Sequence, residues 1–382
     1  MINLAQKEIA HTFGKFMVTA MGVGMLLGIV LIMIGVYRGM MIDAQVLIDD
    51  IGADLWVVQE NTMGPFAEAS RIHKDFKDTL AAFDGIETSE AFTFQTLQLP
   101  AKPISIRVTA VGYDPFGAID PVNPKRLVAG SSLFHDHYQI VVSEKTGFRI
   151  GDVIPIGRDN YTVVGITRGA VASGGDPLVF ISLKDAQKLQ FIYSNARIRN
   201  DRARGMNVGA DAQLVNTVVA RVRAGYDPAE VAERIRRWKH KSVYTQDEQR
   251  TILTKNLIKT ASRQIGMFTV ILIVVSTVII ALIIYTMTLE KMKEISIMKL
   301  IGIPNMMIVK MIVQETVLMG FLAFIFANVF AHIIYTKFPK RVVLEMPDAW
   351  MLLGIVMIAS ILASFIGVRK VIKADPAAAI GD

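Results

Sequence analysis

The residues of this 382-residue chain that could act on a substrate are few and scattered. His135 and His137 flank Asp136, an H-x-H spacing that can ligate a metal from a strand. No further His or carboxylate at ligand spacing accompanies them, so a surface loop is the simpler reading. Ser143-Glu144-Lys145 and Ser131-Ser132 lack the elbow or the neighbouring base that would activate a hydroxyl. The P-loop pattern G-x-x-x-x-G-K-[ST] is missing, so the chain has no phosphate cradle of its own. "GVGMLLG" at 22–28 is a glycine pattern inside an apolar run, without the strand–turn–helix context that phosphate binding needs. Cysteine is absent, which excludes disulfides, thiol chemistry and Cys-based metal sites. Catalytic, cofactor-binding and metal-ligating residues are therefore expected to be none.

The chemistry is concentrated instead in "EKMKEISIMKLIGIP", residues 290–304, with five charges in its first ten positions. At mid-bilayer each charge would cost about 2.5–3.5 kcal/mol, so the segment must lie outside the hydrocarbon. Met292, Ile295, Met298 and Ile301 recur every three residues, and Gly302 with Pro304 supplies a stop, which predicts a short helix with an apolar stripe. Such a helix is shaped either to dock on a partner or to lie on the lipid surface as a continuation of the preceding span; spacing alone leaves both open.

The elements around it are those of a membrane protein. Hydrophobic residues make up 52% of the chain and charged ones 20%, with a mean hydropathy of +0.42. Cutting at ionisable residues leaves charge-free runs at 16–37, 264–289, 316–336 (with His332) and 349–368, each about the 20 residues a bilayer crossing needs. The predicted fold is a membrane protein of four transmembrane α-helices, 15–38, 264–289, 311–336 and 349–368. A large α+β extracytoplasmic domain, 39–262, is inserted between the first and second. The N-terminal segment 1–14 reads as a cytoplasmic amphipathic helix on Ile2, Ala5, Ile9 and Phe13. Residues 337–348 form a short periplasmic loop and 369–382 a cytoplasmic tail. Lys7, Lys15, Lys291, Lys293, Lys299, Lys310, Arg369, Lys370 and Lys373 outnumber Lys337, Lys340 and Arg341, which puts both termini and the charged loop inside. The net charge of +7 is spread along the chain, and Arg234, Arg236, Arg237, Lys239 and Lys241 read as a solvated helix face, so nucleic acid is not an expected partner.

Within the inserted domain, alternation predicts strands near 54–59, 92–99, 104–112, 139–142, 161–167, 178–182 and 215–223, and helices at 74–83, 183–190 and 227–238. "GYDPFG" at 112–117 and the polar stretch 199–213 read as hinges. In the spans, Gly24 with Gly28 and Gly35 with Gly39 form small-xxx-small pairs that suit close helix packing. Asn328 and His332, four apart beside Ala323, Ala327 and Ala331, would contact either substrate or another subunit.

"LEKMKEISIMKLIGIP", the tail "KADPAAAIGD", and "SEKTGFRIGDVIPIGRDNYTVVGI" and "VVARVRAGYDPAEVAERIRR" of the outer domain, in this order, resemble FtsX-like permeases of the MacB superfamily of ABC transporters, in particular stand-alone DevC-type or lipoprotein-releasing-type subunits. The resemblance covers essentially the whole chain. It implies a proximal lobe of about 45–115 and 212–250 with a β-rich lobe, about 116–211, inserted into it. It implies that 290–301 couples to a separate cytosolic ATP-binding subunit, through polar pairs at Lys291, Lys293, Glu294 and Lys299 and through Ile295 and Met298 buried in that subunit's groove. ATP and Mg would be used by that partner and not bound here. A second permease copy or a paralogue, membrane lipid, a periplasmic adaptor and an outer-membrane channel are the further partners implied, in a bacterial inner membrane. The implied function is ATP-driven export or extraction of a hydrophobic substrate. A scaffold that activates a cell-wall hydrolase, or a heme exporter, are the alternatives.

Overall fold

The computed structural model describes residues 13–100, 105–192, 213–338 and 340–373. The chain divides into two compact units, Met40–Thr260 and the pair Met1–Gly39 with Ala261–Asp382. The predicted helix over 1–14 and the Asp375-Pro376 tail lie almost wholly outside the described residues.

The Met40–Thr260 unit is built on a ten-stranded mixed sheet. Its strands are β1 (Leu55–Val58), β3 (Ile86–Leu99), β4 (Ile106–Tyr113), β5 (Leu127–Gly130), β6 (Gln139–Ser143), β7 (Val153–Ile156), β8 (Asp159–Thr167), β9 (Leu178–Ser182), β11 (Thr217–Val222) and β12 (Ser242–Thr245), while β2 (Ile72–His73) and β10 (Leu214–Val215) pair separately. The path runs β12-β1-β11-β3-β4-β9-β6-β8-β5, with β7 on β8. The period of two in β1 sends Trp56 into one core with Ile48, Ile51, Phe92 and Phe180, and Leu55 and Val57 into another with Leu80, Val231 and Ile235. The helices α2 (Phe76–Ala81), α3 (Leu183–Ile192) and α4 (Pro228–Lys239) cover the sheet. The last starts where Asp227 accepts the amide of Ala229 at 3.1 Å, ahead of a first-turn Pro228.

The sheet bears on three expectations. The two lobes share one sheet, because the fourteen-residue β3 pairs with β11 through Val218↔Ala91 and then with β4 through Thr96↔Thr109. β4 in turn lies parallel to β9, so residues assigned to the proximal lobe satisfy their backbone groups on strands of the inserted one. The hinge predicted at 112–117 begins inside β4, where Gly112 pairs with Ile181 and Tyr113 is buried, leaving the turn to Asp114–Gly117. The other hinge, 199–213, lies outside the described residues except for Gln213. The strand expected at 215–223 is broken at Asn216, whose side chain accepts the amide of Phe94 at 2.8 Å and donates to the carbonyl of Ser70 at 3.2 Å. The pattern did not single out strands β5, β7 and β12 or helix α5 (Gln246–Ile252), which opens on a Thr245/Glu248 capping box.

The other unit contains α6 (Lys259–Glu290), α7 (Met292–Leu300), α8 (Asn305–Ile334) and α9 (Met346–Lys373), together with the first part of α1 (Phe13–Ile51). Four of these helices are long and apolar enough to cross a membrane. Each outruns its charge-free run, since a helix ends at a stop signal and not where its side chains become polar. The largest difference is in α1, expected to end at 38 but continuous through Arg38, Asp43, Asp49 and Asp50 to Ile51.

Candidate functional site

The charged segment forms a tight helical hairpin. α6 breaks at Lys291 (φ −90°, ψ 5°), yet the ladder is carried across by Lys291 N–H to Met287 O and Ile295 N–H to Lys291 O. At its far end the Gly302 amide donates to Lys299 O and the Ile303 amide to Met298 O, both at 3.0 Å. These are the two bonds of a Schellman cap, which requires the left-handed φ of +93° that Gly302 adopts. Pro304 then caps α8 from an extended conformation. The nine-residue α7 is thus stiffened at both ends.

Its exposed face differs from the one expected. Ile295 is 1% exposed and Lys291 9%, covered within the chain itself, so neither is free to enter a partner's groove. Met292, Met298 and Lys299 are half-buried, and Lys293 and Glu294 are exposed. The apolar groups that do face outward are Ile297, Leu300 and Ile301, at 50%, 59% and 75% exposure, followed across the turn by Met306 and Met307. The stripe at 292, 295, 298 and 301 is divided between inside and outside because periodicity does not say which neighbour covers a face. A signal for the inside did exist: Glu315 is a lone carboxylate in the apolar part of α8, and it pairs with Lys291 at 2.6 Å.

The glycine pairs pack within the chain. A Cβ on Gly24 would lie 2.6 Å from Phe326 Cβ and 2.7 Å from Ala323 O, and one on Gly28 would lie 2.6 Å from Phe330 Cδ1 and 3.1 Å from Ala327 O. α1 and α8 therefore meet along a seam of small residues, with Ala323, Ala327 and Ala331 fully buried. Gly35 and Gly39 meet the α8–α9 loop instead: Val343 N–H donates to Gly35 O at 3.0 Å, and Gly39 abuts Arg341. Beside them Arg38 binds Asp348 at 2.7 Å and Glu345 at 2.8 Å. Asn328 and His332 make their described hydrogen bonds within α8. Each side chain bonds a carbonyl one turn back, Phe324 O at 3.0 Å and Asn328 O at 2.9 Å, and His332 is exposed.

The H-x-H segment bonds within the Met40–Thr260 unit. His137 Nδ1 lies 2.8 Å from Asp185, whose other oxygen accepts the Tyr138 amide at 2.8 Å. Asp136 pairs with Lys184, and Lys188 with Asp159 at 2.6 Å, both lysines being held above the usual range by the hydrogen bond to the carboxylate. Burial, reinforced by Asp185 and Asp159, pushes the Tyr161 hydroxyl up. Among the described residues no group of three His, Asp or Glu could hold a metal ion.

Four apolar helices of membrane-crossing length, an α+β domain inserted after the first and a charged helix after the second make the architecture of a polytopic membrane protein. Residues 16–238 match the MacB-like periplasmic core domain and residues 266–376 the FtsX-like permease C-terminal domain, and the chain belongs to this family of ABC transporter permeases. Curated relatives include uncharacterized ABC transporter permeases of Mycobacterium bovis, 22% identical over 381 residues, and of Mycobacterium tuberculosis, 23% identical over 381 residues; each alignment covers 100% of this chain and 99% of the relative. Among solved structures, the periplasmic region of MacB from Actinobacillus actinomycetemcomitans aligns with 52% of this chain and 92% of its own, at 11% identity and a TM-score of 0.36. The extracellular domain of the ABC-type transporter YknZ from Gram-positive bacteria aligns with 50% and 98%, at 11% identity and a TM-score of 0.33.

Proposed function

We propose that this permease receives the motion of a separate ATP-binding subunit on α7 and transmits it across an inner membrane to its MacB-like domain, exporting or extracting a hydrophobic substrate. The carrying observation is the face made by Lys293, Glu294, Ile297, Leu300 and Ile301: two exposed charges and three exposed apolar side chains on a short helix joined to α6 by a continuing hydrogen-bond ladder and capped at Gly302. An apolar centre with a charged rim is the composition of a protein docking site. Charged groups at this density also keep the helix out of lipid. ATP and Mg belong to the partner in this reading. The substrate class, a second permease copy, an adaptor and an outer-membrane channel are carried by family resemblance.

A photo-crosslinking amino acid at position 300 tests the docking directly in native membranes. Capture of an ABC ATP-binding subunit, lost in a Leu300→Asp version labelled at 301, is the expected result; crosslinks to lipid alone would sink the proposal. The orientation has its own test, since the chain has no native cysteine. A Lys145→Cys variant should react with an impermeant maleimide in intact cells, and reaction only after lysis would invert the topology.

A further inference from the structure

One ion pair of the helical unit is almost fully enclosed. Lys291 and Glu315 are 9% and 6% exposed, and Lys291 Nζ donates to Glu315 Oε1 at 2.6 Å. Burial removes most of the net stabilisation such a pair could supply, because desolvation offsets the attraction; what it retains is a demand for one geometry, since removing either charge takes a close opposite charge away from the other in an enclosed place. That geometry joins the break between α6 and α7 to α8. Ile295 and Ser296, one turn further on, are also buried, at 1% and 2% exposure.

The two helices that flank α7 differ in what they lean on. α6 leaves Met267, Val270, Val274, Val278 and Leu282 between 55% and 60% exposed within the chain. α8 sets its alanines against Gly24 and Gly28 of α1 and its Gly320 against Ser360 of α9. A displacement of α7 that reaches α8 therefore meets packed neighbours, whereas one that reaches the outer part of α6 meets few.

We infer that Lys291 and Glu315 are positioning residues: the pair sets the angle of the docking helix and passes force into α8 and, through the Ala–Gly seam, into α1. This rests on the proposed role of α7 and adds the route by which that helix is held. It also predicts which charges matter for which step. Lys293 and Glu294 act on the partner, while Lys291 and Glu315 act on the permease itself.

The full-length protein in nanodiscs, alone and with the purified ATP-binding subunit that the position-300 crosslink identifies, supplies the test. In the permease alone, spin labels at positions 293 and 321 report the angle between α7 and α8. Glu315→Gln and Lys291→Met should broaden that distance distribution. With the subunit present they should lower permease-stimulated ATP hydrolysis about tenfold or more, the scale of one broken buried pair. Lys291→Arg and the reciprocal exchange K291E with E315K should restore both readouts, as coupling between the two residues requires. If the singles prove too unstable to purify, the exchange and the Arg variant decide the matter, and failure of both to give a native distance overturns the inference. An unchanged distance and unchanged stimulation in Glu315→Gln overturn it as well. Leu300→Asp separates the two levels. If it leaves hydrolysis untouched, the docking reading fails; if it abolishes stimulation while Glu315→Gln does not, only the positioning pair fails.

Discussion

At the end of α1, in the sheet-containing unit, two adjacent acids are treated differently. The Asp50 carboxylate is 2% exposed and takes Arg126 at 2.8 Å together with Asn123, whereas Asp49 meets Arg250 at 2.7 Å with both side chains more than a third exposed. Around them β1, β6 and β9 bury all their side chains and β7 alternate ones, so hydrophobic burial chooses the partners and polar groups refine the result. The helical unit reverses these roles. Its helices are apolar on nearly all sides, and hydrophobicity then cannot choose which faces meet. The choice passes to glycine and alanine at the α1–α8 seam and to the few charges at Arg38, Lys291 and Glu315. A greasy helix surface thus carries less structural information than a greasy strand face, and its rare small and charged residues carry more.

The contrast can be broken at graded points, read by thermal or denaturant unfolding in lipid nanodiscs. Trp56 is fully buried against Phe66 at 5.5 Å between ring centroids, and Trp56→Ala should cost about 3–5 kcal/mol. A cost near zero would deny that this unit is organised by its core. Asp50→Ala removes the enclosed carboxylate that holds Arg126 and Asn123 and should cost about 2–3 kcal/mol. In the helical unit, Gly28→Leu drives a side chain into Phe330 and Ala327 and should cost about 1–3 kcal/mol. Gly22→Leu, with nothing within 4 Å of its Cβ, should leave stability unchanged. Equal effects of the two would mean that the seam lies elsewhere. Thr245→Ala removes one half of a capping box and should cost about 1 kcal/mol. Asp49→Ala, removing an exposed pair, should cost about 0–1 kcal/mol; a value matching Asp50→Ala would erase the distinction between the neighbours.

Legibility in the sequence followed the same division. The strands at 178–182 and 139–142 and the helix from Asp227-Pro228 were readable because each is long enough, or capped strongly enough, to leave a local pattern. β2 and β10, two residues each, left none. In the candidate site the Gly302 stop was readable. The outward face was not: Ile295 and Ile297 are chemically the same residue two positions apart, one at 1% and the other at 50% exposure. Gly24 and Gly28 announced close packing but not their partner, which is α8 of the same chain.

By itself the sequence determined four membrane-length apolar helices, an α+β domain after the first, and a helix barred from hydrocarbon after the second. Each of these depends on local composition and on the energy of transferring a segment from water to lipid. Only the tertiary structure decided that β3 is shared by both halves of the sheet, that Lys291 turns inward to Glu315, and that Ile297, Leu300 and Ile301 are the side chains left uncovered. Those outcomes depend on which surfaces meet across long stretches of chain, and a helical period marks a face without naming what will cover it.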